Sequence, residues 1–147
     1  MDEVIDPGDS SVQRSTEPLM LAWLSDHLGV TMVPRVFPFG VSSKAEVDGV
    51  SEDGTILCEV WAHQGVLKGA QPHKVMNDAM KLLAVRRQHP EASRLIILFG
   101  DEVAARIFRR GTWRAEALSQ AGIEVMVADL DQEQRRRIRE AQVRQYR

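Results

Sequence analysis

Apolar positions follow two rhythms along the chain, one close to the roughly 3.6-residue helical period and one of alternating or continuous runs. Met1 to Ser15 shows neither: it is polar, carries Pro7, Gly8 and a Ser pair, and reads as a flexible leader to a single domain spanning 16–147. Thr16 is then expected to N-cap a helix with Glu17 and Pro18 in its first turn. Leu19, Met20, Trp23, Leu24 and Leu28 would line the buried side, and Gly29 would end it. Val30 to Val41 is apolar but broken by Pro34 and Pro38, which fits an irregular strand or one at a sheet edge.

Two further runs, Lys44 to Val50 and Thr55 to His63, flank Asp53-Gly54, a dipeptide favoured in type I′ hairpin turns. Pro72 opens a second helix that runs to Gln88, with Val75, Met76, Ala79, Met80, Leu82 and Leu83 facing inward and His89-Pro90 stopping it. Arg94 to Gly100 is continuously apolar, as in a strand covered on both faces. Asp101 to Gln120 reads as helix interrupted at Gly111, Ile123 to Ala128 as strand, and Asp131 as the cap of a last helix. The order α-β-β-β-α-β-α-β-α implies an α/β fold, a mixed central sheet flanked by helices.

Composition adds little to that outline. The chain is 44% hydrophobic and 27% charged, ordinary for a globular domain, and holds no membrane-length apolar run. Its start lacks the basic and apolar segments of a signal peptide, so a cytoplasmic location and no membrane partner are expected. The single cysteine, Cys58, forms no internal disulfide and is expected to be a small buried side chain. The formal net charge of −2 conceals an acidic start and a basic end, where Arg135, Arg136, Arg137, Arg139, Arg144 and Arg147 crowd together. Such a run suits either a solvated helix end or phosphate contacts, for which Arg135, Arg136 and Arg139 are the candidates.

Chemistry centres on the hairpin. A two-residue turn at Asp53-Gly54 places Asp48 opposite Glu59, Glu46 opposite Trp61 and Val50 opposite Leu57, all on one face. Facing side chains in such a pair sit ~4.5–5.5 Å apart at Cβ, and opposed like charges destabilise it. A divalent cation would offset the repulsion. Two carboxylates with a backbone carbonyl and waters form an oxygen site of the kind Mg²⁺ or Mn²⁺ accepts, whereas zinc would need more His or Cys. His63 shares the face at the strand end, where a structural or solvated role is the simpler reading.

A helix with an early Glu, then strands carrying Asp and Glu-x-x, then a helix and a strand, resembles the PD-(D/E)XK nucleases of restriction-endonuclease-like fold over about Glu17 to Gly100. The resemblance implies a metal-dependent nuclease acting on nucleic acid, DNA first. It makes Asp48 and Glu59 the catalytic metal ligands and Glu17 an outer-shell helical acid. The family lysine should stand two residues beyond the Glu, where this chain has Trp61. Some members of the fold draw that lysine from a neighbouring element, and Lys68 and Lys74 are the candidates, Lys74 the better placed.

Lys74 belongs to a polar stripe with Gln71, Asp78 and Lys81 at helical spacing. A solvated stripe with Lys74–Asp78 and Asp78–Lys81 ion pairs is the plain alternative. Gln71, before the helix proline, is an unusual cap, and its amide could reach a phosphate or Lys74. Trp61 is either core or a platform on which a nucleobase stacks. So small a chain has little surface for reading sequence, so a homodimer or partner subunit is expected. Two other readings stay open. One is a non-catalytic module of the same fold that binds nucleic acid or a protein, and the other an unrelated α/β domain with an accidental acidic pair.

Overall fold

A computed structural model describes residues 11–145. Its elements are α1 (Ser11–Leu28), β1 (Met32–Phe39), β2 (Ser43–Ser51), β3 (Ile56–Trp61), α2 (Gln71–Gln88), β4 (Arg94–Phe99), α3 (Glu102–Arg109), α4 (Trp113–Gln120), β5 (Ile123–Val127) and α5 (Gln132–Gln145). The five strands lie in the order β1-β2-β3-β4-β5. The first three pair antiparallel and the last three parallel, so the sheet is mixed, as the order of elements implies.

Alternation along β3 assigns the two faces. Leu57 and Trp61 pack with Val75, Ala79, Leu82 and Val85 of α2, and this core continues to Phe108 of α3 and Leu118 of α4. Cys58 and Val60 face the other way, against Met20, Leu21 and Leu24 of α1 and Ile138 of α5. Leu95 to Phe99 of β4 are wholly buried, as expected of a strand covered on both faces. β1 lies at the sheet edge, with a register shift between Val33 and Arg35 where Pro34 cannot donate to the ladder. No helix among the described residues is long and apolar enough to cross a membrane.

Several boundaries differ from the sequence reading. α1 starts at Ser11 rather than Thr16, so Ser11–Ser15 belongs to the helix and not to a leader; Met1–Ser10 lies outside the described residues. Pro18 sits inside α1, where its missing N–H removes one helical hydrogen bond, instead of opening it. The buried face turns accordingly to Met20, Leu21 and Leu24, leaving Leu19 exposed. In α2, Met80 is likewise exposed and Val85 takes its place in the core.

The hairpin keeps its expected register, with Gly49 opposite Cys58 and Val50 opposite Leu57, but closes differently. Only Gly54 takes positive φ, so Asp53-Gly54 does not form the type I′ turn. Instead Gly54 N–H donates to Ser51 O at 2.9 Å, and Asp53 Oδ1 accepts from Ser51 Oγ and from Thr55 N–H and Oγ1. The four-residue turn keeps the pairing because it lengthens both strands' loop equally.

A candidate active site between β2, β3 and α2

Backbone pairing of β2 with β3 is recorded as far as Gly49 and Cys58, and the next residues along are Asp48 and Glu59. There the Val60 N–H donates to the Asp48 carboxylate, Oδ2, at 2.9 Å, so a side chain takes up a donor at the end of the ladder. Asp48 is half-buried, whereas Glu59 is only 2% exposed and faces α2. The two carboxyl groups placed together by the hairpin register are neighbours, and they lie under a helix rather than on an open face.

The groups around it come from α2. Lys81 Nζ lies 2.6 Å from Glu59 Oε1 and 3.9 Å from Asp78 Oδ1. Asp78 accepts in turn from the indole N–H of Trp61 at 2.9 Å. Trp61, at the position where the nuclease pattern carries lysine, is thus tied through Asp78 to a lysine one helical turn on. Although close to Lys81, Glu59 Oε1 makes no hydrogen bond of regular geometry.

Charge in the cluster is out of balance. Burial first, then the hydrogen bond and charge of Asp48 and the charge of Asp78, push Glu59 up to about 10, with Lys81 opposing. Glu59 therefore keeps its proton at neutral pH. Burial also raises Asp78, against the pull of Lys81 and the Trp61 hydrogen bond. For Lys81, burial acts downward and is outweighed by Glu59, with Asp78 and Asp48 adding, so its ammonium is held above its ordinary value.

A small cation at this place would take over from the proton on Glu59, with the Asp48 carboxyl beside it. Among the described residues no group of three or more His, Cys, Asp or Glu converges. Any ion would rest on two carboxylates, with backbone carbonyl and water completing an octahedral shell.

The other expected site residues fall elsewhere. Lys68 and Lys74 are not at the acidic pair: with His63, Gln71 and Gln142 they line a cleft of about 800 Å³ beside the start of α2. Gln71 closes the preceding loop, its Oε1 accepting from Lys68 N–H at 2.8 Å. It is the first residue of α2, after an Ala70 N-cap, and not itself the cap. His63 is half-buried, and burial lowers its pKa. Glu17 is half-buried on α1, which packs on the opposite sheet face from α2. Trp61 is core, 7% exposed, and offers no platform to a base.

Three of the C-terminal arginines, Arg135, Arg136 and Arg137, are engaged within the fold. Arg135 is internal, donating to Leu130 O, Gly100 O and the Gln64 and Asp101 side chains. Arg136 pairs with Glu133 and Glu140, and Arg137 with Glu133. Arg139 is exposed. Asp101 stands at the N-cap of α3 without a side-chain capping bond, because its carboxylate accepts from Gly65 N–H at 2.7 Å instead. The residue missed by sequence reasoning is Lys81. It was visible as a stripe member, but which member of the stripe lies level with Glu59 depends on how α2 sits on the sheet. Comparison with protein-family models, curated proteins and solved structures returns no match.

Proposed function

We propose that this chain is a metal-dependent nuclease of the restriction-endonuclease-like type, hydrolysing phosphodiester bonds of nucleic acid, DNA in the first instance. The observation that carries the reading is Lys81 Nζ at 2.6 Å from Glu59, which returns to the acidic pair the lysine that Trp61 displaced. The order of α1, three antiparallel strands, α2 and parallel β4 agrees with it.

Mg²⁺ or Mn²⁺ held by Asp48 and Glu59 would lower the pKa of a bound water and neutralise the leaving oxygen. To hold the ion, Glu59 would have to give up its proton. Lys81, beside both Glu59 and Asp78, would present its ammonium to the attacked phosphate and stabilise charge developing there. Asp78 and the Trp61 indole hold the lysine stem in place, a positioning role. The reading goes with a cytoplasmic protein and with a second copy or partner subunit extending the nucleic-acid contact.

The second reading is a non-catalytic module, favoured by the near-complete burial of Glu59. Incubation with supercoiled plasmid and with single-stranded DNA, in Mg²⁺, Mn²⁺ or chelator, separates the two. Metal-dependent cleavage that Asp48→Asn abolishes is the expected result. Absence of cleavage in every metal, by protein shown to be folded, would leave the binding module.

A further inference from the structure

A second basic surface, besides the arginine-rich C-terminus, lies at the corner joining α3 to α4. Glu102 to Arg114 carries four arginines against one carboxylate, in a chain of net charge −2. Arg106, Arg109 and Arg110 line a groove of about 480 Å³ in which Glu102 is the one acid, held 3.8 Å from Arg109. Among the described residues Arg106, Arg110 and Arg114 form no ion pair with a carboxylate, in contrast to Arg136 and Arg137 of α5.

From Arg110 in the groove the chain passes through the turn at Gly111, φ +79°, to Trp113, the first residue of α4. Trp113 is 66% exposed, whereas Trp61 is buried. The Arg114 guanidinium lies 4.7 Å from the Trp113 ring centroid and covers one face, leaving the rest of the ring to solvent. The same guanidinium reaches His73 of α2 at 3.4 Å, while its Nε is buried with no hydrogen-bond partner. The corner therefore abuts the first turn of α2, the helix that carries Lys81.

A rigid aromatic backed by a cation, beside a groove of unpaired guanidiniums, is the combination that holds an unstacked base and its phosphates together. We propose that the α3–α4 corner binds single-stranded nucleic acid, with a base stacked on Trp113 and the strand's phosphates along Arg106 and Arg110. Duplex would offer the phosphates but not an open base face. The surface requires no metal and no chemistry at Glu59, so it holds for a nuclease and for a binding module alike.

The test is fluorescence anisotropy of a labelled oligothymidylate about 15 nucleotides long, with the full chain carrying Glu59→Gln, in chelator, so that cleavage plays no part. Trp113→Ala should weaken binding about tenfold or more, while Trp113→Phe retains most of it. The double variant Arg106→Glu, Arg110→Glu should weaken it further and flatten the salt dependence by ~0.7 per lost phosphate contact. Both sites are exposed, and circular dichroism checks that the variants stay folded. Failure of the parent protein to bind at low salt overturns the proposal, as does wild-type affinity in both variants. Loss in the arginine variant with none in Trp113→Ala, or tighter binding to heparin or duplex than to the single strand, overturns it too and leaves a general polyanion patch.

Discussion

Lys81 Nζ and Glu59 Oε1 stand 2.6 Å apart across the interface of α2 and β3, and Asp48 completes the cluster from β2. Burial keeps Glu59 protonated in the folded chain, so the neutral amide of glutamine removes the cost of taking up that proton on folding. Glu59→Gln should therefore leave the metal-free protein as stable as the wild type or more so. Urea unfolding in chelator checks this; a loss of several kcal/mol would mean that the Lys81–Glu59 contact is a net source of stability.

The same residue sets a pH dependence. Glu59 is raised from 4.5 to about 10 in the folded chain, so the native state binds more protons than the unfolded one between those values. Stability contributed by this group is present below about 4.5 and is lost as pH rises toward about 10. The wild type should lose stability relative to Glu59→Gln between about pH 6 and about pH 9. A constant difference in urea midpoint across that range would contradict the raised carboxyl.

Metal should compete with that proton. Mn²⁺ at about 100 times its dissociation constant should stabilise the fold by about 2.7 kcal/mol, and its affinity should rise with pH because a proton must leave. Thermal melts in Mn²⁺ against chelator report both effects. Glu59→Gln and Asp48→Asn should each abolish the shift; a shift that survives both places the ion elsewhere.

Trp61 tests the positioning arm. Trp61→Phe keeps an aromatic in the core but leaves Asp78 without its indole donor, at a cost of about 1–3 kcal/mol in stability. Cleavage should also fall, since Asp78 can then draw Lys81 away from Glu59. Unchanged single-turnover rates in a less stable variant would make the indole purely structural.

The order of elements, the edge position of β1, the buried β4 and the Asp48–Glu59 pair were legible in the sequence, because each rests on local periodicity or hairpin register. Even the wrong turn type preserved the pairing. What failed depended on tertiary placement. Pro18 looks the same at a helix start as about two turns inside it, and Leu19 and Met80 satisfied a period without facing the core. Asp131 was read correctly as a cap, its Oδ1 accepting from Gln134 N–H, since that motif is wholly local, and so were the helix ends at Gly29 and His89. Arg135 sat in a basic run, yet its partners Gly100 and Asp101 come from a distant loop. Lys74 and Lys81 were equivalent on a helical wheel, and only the seating of α2 on β3 distinguishes them.

The claim that α2 supplies the missing lysine is tested most directly by single-turnover cleavage at saturating Mn²⁺ in Lys81→Met, Lys74→Met and Lys68→Met. Lys81→Met should keep fold and metal-induced stabilisation but lose roughly two or more decades of rate, as expected for removing a group that stabilises developing charge. Lys74→Met and Lys68→Met, both distant from the acidic pair, should cleave within a few-fold of wild type. An unimpaired Lys81→Met, or a larger loss in Lys74→Met, would contradict the account.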